Sequence, residues 1–228
     1  MEKRIAVLRG DGIGPEVVNE SIKVLERVAQ KFGHTFHYYD IIGGVAGLEA
    51  YGDALRPQDY ELGRSCDSIL FGSVGDPRKY TFTGANGTKK SPSRKEAAVK
   101  ALASFRRGME LFANIRPAYL YKELKEACPL KDEIIGDGFD MVIMRELTGG
   151  LYFGERKTVE ENGVLKAYDS LTYDENEIRR IAVKGFETAM KRRKNVVSVD
   201  KANVLDSSRL WRKIVEEVAK DYPEVTYS

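Results

Sequence analysis

Three arginines stand near the ends of apolar runs: Arg106 late in a helical pattern, Arg116 in Asn114-Ile115-Arg116-Pro117, and Arg145 in Arg145-Glu146-Leu147-Thr148-Gly149-Gly150. The guanidinium is a planar fork that grips a carboxylate through two parallel hydrogen bonds, so three that converge would hold a di- or tricarboxylic acid. Taken singly, each is more often a surface or salt-bridge arginine. Tyr152, set among glycines in Gly150-Leu151-Tyr152-Phe153-Gly154, is a candidate proton donor to a nearby intermediate. Lys201, in Ser198-Val199-Asp200-Lys201-Ala202-Asn203 just past an apolar strand, is a candidate general base if its surroundings depress its pKa. A lysine at a strand end is usually a solvated cap, so neither residue type is diagnostic alone.

A glycine cluster, Gly10-Asp11-Gly12-Ile13-Gly14-Pro15-Glu16, lies between an apolar run and a helical pattern. A strand, a glycine turn and a helix start can seat a pyrophosphate on backbone N–H groups. The third glycine of that fingerprint is replaced by Pro15, although Asp40 lies at a tolerable distance for a ribose contact. The competing reading is a tight strand-to-helix turn and nothing more.

The elements that must position these groups alternate. Residues 4 to 9 read as a strand, and Val17, Val18, Ile22, Leu25, Val28, Ala29 and Phe32 mark one apolar face of the helix that follows, with Pro15 and Glu16 at its start. Residues 35 to 42 and 67 to 74 read as strands and 58 to 64 as a short helix, an alternation that implies a largely parallel sheet. Residues 76 to 95 lose all periodicity, and loops of that length usually bind something. A helix over 96 to 109 carries Ala98, Ala101, Leu102 and Phe105 on one face. Strands follow at 111 to 115 and 139 to 144, and Asn162-Gly163 signals a hairpin spanning 151 to 169. Asp174 with Glu177 opens a helix through Lys194, whose basic end Lys191-Arg192-Arg193-Lys194 reads as a solvated complement to the helix dipole. A strand at 195 to 200, an amphipathic helix at 208 to 220 and a strand opening at 225 complete the pattern.

Composition narrows the partners. With 37 basic and 35 acidic residues in 228 the formal charge is only +2, which gives no broad electrostatic footprint for nucleic acid or an anionic membrane. Cys66 and Cys128 cannot build a disulfide framework or a four-ligand zinc site, which fits a reducing cytoplasmic setting. No apolar run of about 18 residues is present, and the amino terminus lacks a signal peptide's apolar core.

The segments 10 to 16, 111 to 118, 144 to 154 and 197 to 205 together resemble the decarboxylating β-hydroxyacid dehydrogenases, the isocitrate/isopropylmalate dehydrogenase family, from Arg4 to the last residue. Leu147, where isocitrate, homoisocitrate and tartrate/malate relatives typically carry Asn, points to the branch acting on 3-isopropylmalate. The resemblance implies an α/β, two-domain fold with a mixed, largely parallel sheet. Residues 1–110 would form a first domain and 111–228 a second, with the 151–169 hairpin clasping the other subunit of a homodimer. It implies NAD-linked oxidation and decarboxylation of a dicarboxylate in leucine biosynthesis, aided by Mg²⁺ or Mn²⁺. Arg106, Arg116 and Arg145 would bind the substrate carboxylates and Leu102 its alkyl group. Lys201 would assist removal of the hydroxyl proton in the partner's site, and Tyr152 would protonate the enol.

Cofactor binding in this family is not of the Rossmann type, and the loop from Gly75 and Asp76 would contribute to it. The family's cofactor-facing glutamate would fall on Val99, with Glu96 the nearest acid, and Asp76-Pro77-Arg78-Lys79-Tyr80 replaces the Gly-Pro-Lys-Trp common in relatives. The metal-ligand aspartates and the adenosine loop of the family lie beyond Ser228, so the chain reads as the front part of such an enzyme, inactive by itself. The alternatives are a malate- or tartrate-type substrate, and a non-catalytic relict or assembly subunit that binds dicarboxylates.

Overall fold

The apolar run near the amino terminus forms β1 (Glu2–Leu8), in which Ile5, Ala6, Val7 and Leu8 are all buried. A strand buried at successive residues must be covered on both faces, which is the condition of a parallel sheet. In the computed structural model, which describes residues 1–75 and 94–228, β1 pairs in parallel with β2 (Thr35–Ile41) on one side and β3 (Ser68–Phe71) on the other. The chain divides into two units, Met1–Glu110 and Leu111–Ser228.

In the first unit, α1 (Gly14–Phe32) follows β1, starts with Pro15 in its first turn and ends on Gly33 in the left-handed conformation. Ile5 and Val7 pack against Val18, with Ile22 and Leu25 beside them, while Ala6 and Leu8 point to the other face and pack with Ala101 and Phe105. The helical face expected from spacing is therefore split. Val17, Val28 and Phe32 stay exposed beside Val24, because the helix packs along a narrower line than its apolar residues mark out. Between β2 and β3 run α2 (Val45–Tyr51), which the residue spacing did not reveal, and α3 (Pro57–Ser65). The last helix of the unit is α4 (Arg94–Gly108), whose residues Ala101 and Phe105 are 0% and 2% exposed. Asp76 and the side chain of Ala98 lie outside the described residues.

In the second unit β4 (Ala113–Tyr119) and β5 (Asp140–Glu146) form an antiparallel ribbon, with a 3-10 turn (Lys122–Ala127) and α5 (Asp132–Ile135) between them. The hairpin is β6 (Arg156–Glu161) and β7 (Val164–Asp169), joined by Asn162 and Gly163 with φ of 54° and 74°, as a two-residue type I′ turn requires. The capping box is present: Asp174 accepts from Asn176 and Glu177 N–H groups, and Glu177 accepts from the Asp174 N–H, at the start of α6 (Glu175–Met190). Ile178, Phe186 and Ala189 of α6 pack against Ile214, Val215 and Val218 of α7 (Asp206–Ala219), and burial of a side chain the size of Phe186 contributes about 2–3 kcal/mol.

Two expectations change. The strand at 195 to 200 shortens to β8 (Asn195–Val196), paired in parallel with β9 (Thr226–Tyr227). The basic run is not simply solvated, since α6 ends at Met190 and the run folds back. Arg192 and Arg193 both pair with Asp140 at the start of β5, and Lys194 pairs with Glu224.

Candidate active site

Directly opposed residues of an antiparallel pair share a face, and residues two apart along a strand share it too. Asn114 is opposite Arg145, and Arg116 stands two residues along β4, so all three project from one face of the β4–β5 ribbon. The Arg116 Nε donates to Asn114 Oδ1 at 2.8 Å, which holds that guanidinium beside the residue opposite Arg145. The Arg145 guanidinium in turn lies over the ring of Tyr152, 5.8 Å from its centroid. Arg116, Arg145 and Tyr152, picked out separately in the sequence, thus occupy one exposed surface. Two cations and a phenol on one surface can bind a dicarboxylate and deliver a proton to it.

The opposite face of β5 carries a group that sequence reasoning missed. Glu146 is buried, and its carboxylate accepts from the Thr148 and Gly149 N–H groups, the Thr148 hydroxyl and Arg180. The available signal was an acid at the end of a largely apolar strand, two residues before Thr148-Gly149-Gly150. Arg156 of β6 donates to the carbonyls of Leu151 and Tyr152 at 3.1 and 2.9 Å, holding the far end of the same loop. Tyr173 packs against this turn, where burial first, and then the Glu146 and Glu177 carboxylates, push its phenol above its usual range while Arg145 opposes them.

Lys201 lies between β8 and α7 and is exposed, contrary to the buried lysine the base role calls for. What is buried is its neighbour. The Asp200 side chain is 7% exposed, takes a bidentate pair of 2.9 Å bonds from Arg212 and accepts the Ala202 N–H. The Arg212 guanidinium holds the Asp200 carboxyl below its usual value. Lys201 itself is fixed through its backbone, its N–H donating to Ser208 Oγ at 3.1 Å. Among the described residues no hydrogen bond, ion pair or ring contact joins Lys201 to Arg116, Arg145 or Tyr152.

In the first unit the glycine turn is filled by protein. Asp11 N–H donates to Ser73 O at 2.7 Å, and the buried Asp11 carboxylate accepts from the Val45, Ala46 and Gly75 N–H groups. Gly10 has φ of 76°, and a Cβ there would collide with the Ser73 carbonyl. The turn ties the ends of β1, β2 and β3 together, and the space against Gly10 is taken by the Ser73 backbone, as the strand-to-helix reading expects. Gly75 spends its N–H on Asp11. On α4, Val99 is 61% exposed and shares the outer side with Glu96 and Arg106, opposite Ala101 and Phe105, and Leu102 is half-buried. Arg106 thus belongs to the first unit and Arg116 and Arg145 to the second. Among the described residues no group of three His, Cys, Asp or Glu side chains is placed to hold a metal ion, and no helix is long and apolar enough to cross a membrane.

A parallel α/β unit followed by an antiparallel ribbon carrying paired arginines narrows the class, and known proteins give the family. The family model described as isocitrate/isopropylmalate dehydrogenase matches residues 4–228. A 3-isopropylmalate dehydrogenase of Haemophilus influenzae is 51% identical over 97% of the chain, and one of Clostridium pasteurianum is 46% identical over all of it. Among solved structures, an isocitrate dehydrogenase of Methylococcus capsulatus is 25% identical over 98% of the chain and 59% of its own, with a TM-score of 0.77. A β-decarboxylating dehydrogenase of Thermococcus kodakarensis is 31% identical over 99% of the chain and 57% of its own, with a TM-score of 0.66. The chain belongs to the isocitrate/isopropylmalate dehydrogenase family. It spans 60% of the length of the Haemophilus relative and 61% of the Clostridium one.

Proposed function

We propose that the protein oxidises 3-isopropylmalate at its hydroxyl carbon and decarboxylates the product to 4-methyl-2-oxopentanoate, a step towards leucine, as a cytoplasmic homodimer. The observation that carries this reading is the common surface of Arg116, Arg145 and Tyr152. The 46–51% identity to two 3-isopropylmalate dehydrogenases supports the choice of substrate.

Arg116 and Arg145 hold the malate carboxylates, and their fixed charge stabilises the negative charge that develops on the substrate oxygen. Lys201 receives the hydroxyl proton as the carbon–hydrogen bond gives up its hydride. After carbon dioxide leaves, Tyr152 delivers a proton to the enol carbon, giving the 2-oxo acid. By the family resemblance, Arg106 would bind a carboxylate and Leu102 the isopropyl group, while Gly75, Asp76, Glu96 and Val99 would be the residues that hold NAD. NAD supplies the hydride acceptor, and a divalent cation, Mg²⁺ or Mn²⁺, supplies an electrophile. Among the described residues no group of three His, Cys, Asp or Glu side chains is placed to hold that cation by itself.

The dimer has two supports. All residues of β6 and β7 except the half-buried Val159 are exposed, and a lone two-stranded ribbon is marginal in water, so this hairpin gains burial from a second subunit. The exposed Lys201, flanked by Val199 at 85% exposure and Val204 at 61%, acquires the dry surroundings of a base when the partner covers it.

The test is NADH formation from 3-isopropylmalate by the complete translation product with Mg²⁺, alongside malate, tartrate and isocitrate. Turnover with 3-isopropylmalate that Lys201→Ala abolishes is the expected result. Preference for another acid, or near-normal kcat in Lys201→Ala, would overturn the substrate or the assigned role respectively.

A further inference from the structure

Glu146 follows Arg145 in β5 and so points to the opposite face of the ribbon. Its side chain is 1% exposed and meets donors only: the Thr148 and Gly149 N–H groups at 2.8 Å each, the Thr148 hydroxyl at 2.6 Å, and Arg180 Nη2 at 3.1 Å. Both carboxylate oxygens thus serve as acceptors, for four donors in all. The isosteric Gln would turn its NH₂ group either against the two backbone N–H donors or against Arg180 Nη2, so it cannot reproduce the set.

These bonds fold the chain sharply after β5. Leu147 N–H reaches Phe112 O at 2.8 Å and Gly150 N–H reaches Thr172 O at 2.7 Å, fastening both ends of the turn. The chain then returns so that the Tyr152 ring meets the Arg145 guanidinium. Arg180 is itself held in place on two sides. Its Nη2 also bonds the Thr148 hydroxyl, and its guanidinium lies 4.8 Å from the centroid of the Phe112 ring.

We propose that Glu146 is a positioning residue for the protonation step: by clamping the Thr148–Gly149 turn it fixes Tyr152 against Arg145. This rests on the reading of Tyr152 as proton donor given above. A carboxylate that only stabilised the fold would lower activity by the same factor whatever stood at 152. One that acts through Tyr152 loses its effect when the phenol is gone.

The experiment is a double-mutant cycle in kcat and KM for 3-isopropylmalate, using the complete translation product and the variants Glu146→Gln, Tyr152→Phe and both together. Glu146→Gln alone is expected to lower kcat about 100-fold with KM changed by less than about threefold, and to cost less than about threefold in the Tyr152→Phe background. Equal losses in both backgrounds, or an unchanged kcat, would overturn the proposal. Should Glu146→Gln fail to fold by circular dichroism, Thr148→Val, which removes one of the four bonds, takes its place, with about tenfold expected in the native background and no loss in the Tyr152→Phe one. Additive losses would again refute it. A native protein without turnover rejects the dehydrogenase reading instead. The clamp is then read in the 228-residue chain by the ring-current shift of the Arg145 Nε–H resonance, which should vanish in both Tyr152→Ala and Glu146→Gln. Its persistence in Glu146→Gln would count against the clamp.

Discussion

Arg116 and Arg145 are diagonal neighbours on one face of the β4–β5 ribbon, because Arg145 pairs with Asn114 and Arg116 follows two residues along β4. A hydrogen bond along β4 from Arg116 Nε to Asn114 Oδ1 holds the Arg116 guanidinium beside the residue that faces Arg145. In the proposed carboxylate-binding role, the fork geometry of guanidinium matters more than its charge. Arg116→Lys and Arg145→Lys, which keep the charge, should each raise KM for the dicarboxylate about tenfold or more. Initial-rate kinetics checks this, and an unchanged KM in both variants would place the carboxylates elsewhere.

Tyr152 touches Arg145 with its ring and would donate with its hydroxyl, so Phe separates the two contributions. Tyr152→Phe keeps the cation over a ring and should leave KM within about threefold while kcat falls about 100-fold or more. A rise in KM with an intact kcat would assign Tyr152 to binding.

The Asp200–Arg212 pair predicts an acid-sensitive anchor for the Lys201 loop. The Arg212 hydrogen bonds, then the Ala202 N–H, lower the Asp200 pKa from 3.8, so its stabilising contribution is fully present above that value and is lost as pH falls through the lower folded one. Asp200→Asn should therefore lower the melting temperature at neutral pH, and the gap from the native chain should close below about pH 3. Melting curves across pH test it, and a gap that stayed constant would remove the carboxylate from the account.

Gly10 is irreplaceable on two grounds, its positive φ and its approach to the Ser73 carbonyl. Gly10→Ala should destabilise the first unit by about 2–4 kcal/mol, since backbone on both sides of the contact must move. Urea denaturation measures this, and a loss under about 1 kcal/mol would mean the turn opens easily.

Leu165 at the hairpin tip is 72% exposed. Leu165→Lys should change the stability of a single chain by less than about 0.5 kcal/mol yet weaken self-association, as read by sedimentation equilibrium. Unaltered association would take the hairpin out of the interface.

What the sequence determined is local. The apolar run of β1, Pro15 at the start of α1, the Asp174–Glu177 capping box and the Asn162-Gly163 turn each satisfy a backbone requirement that neighbouring residues can meet, and each stands where its pattern predicts. The candidate residues Arg116, Arg145, Tyr152 and Lys201 were legible as residue types at element ends. Which of them meet was not legible, because the meeting depends on strand register: a slip of one residue would turn Arg145 to the opposite face. Asp11 and Glu146 escaped for a related reason. Their donors come partly from distant segments, such as Val45 and Gly75 for Asp11 and Arg180 for Glu146, and only folding brings those to one carboxylate. The glycine turn shows the same division. Its residues dictate a tight strand-to-helix passage, but whether a pyrophosphate or the Ser73 backbone occupies the space against Gly10 was decided by the strand that packs beside it.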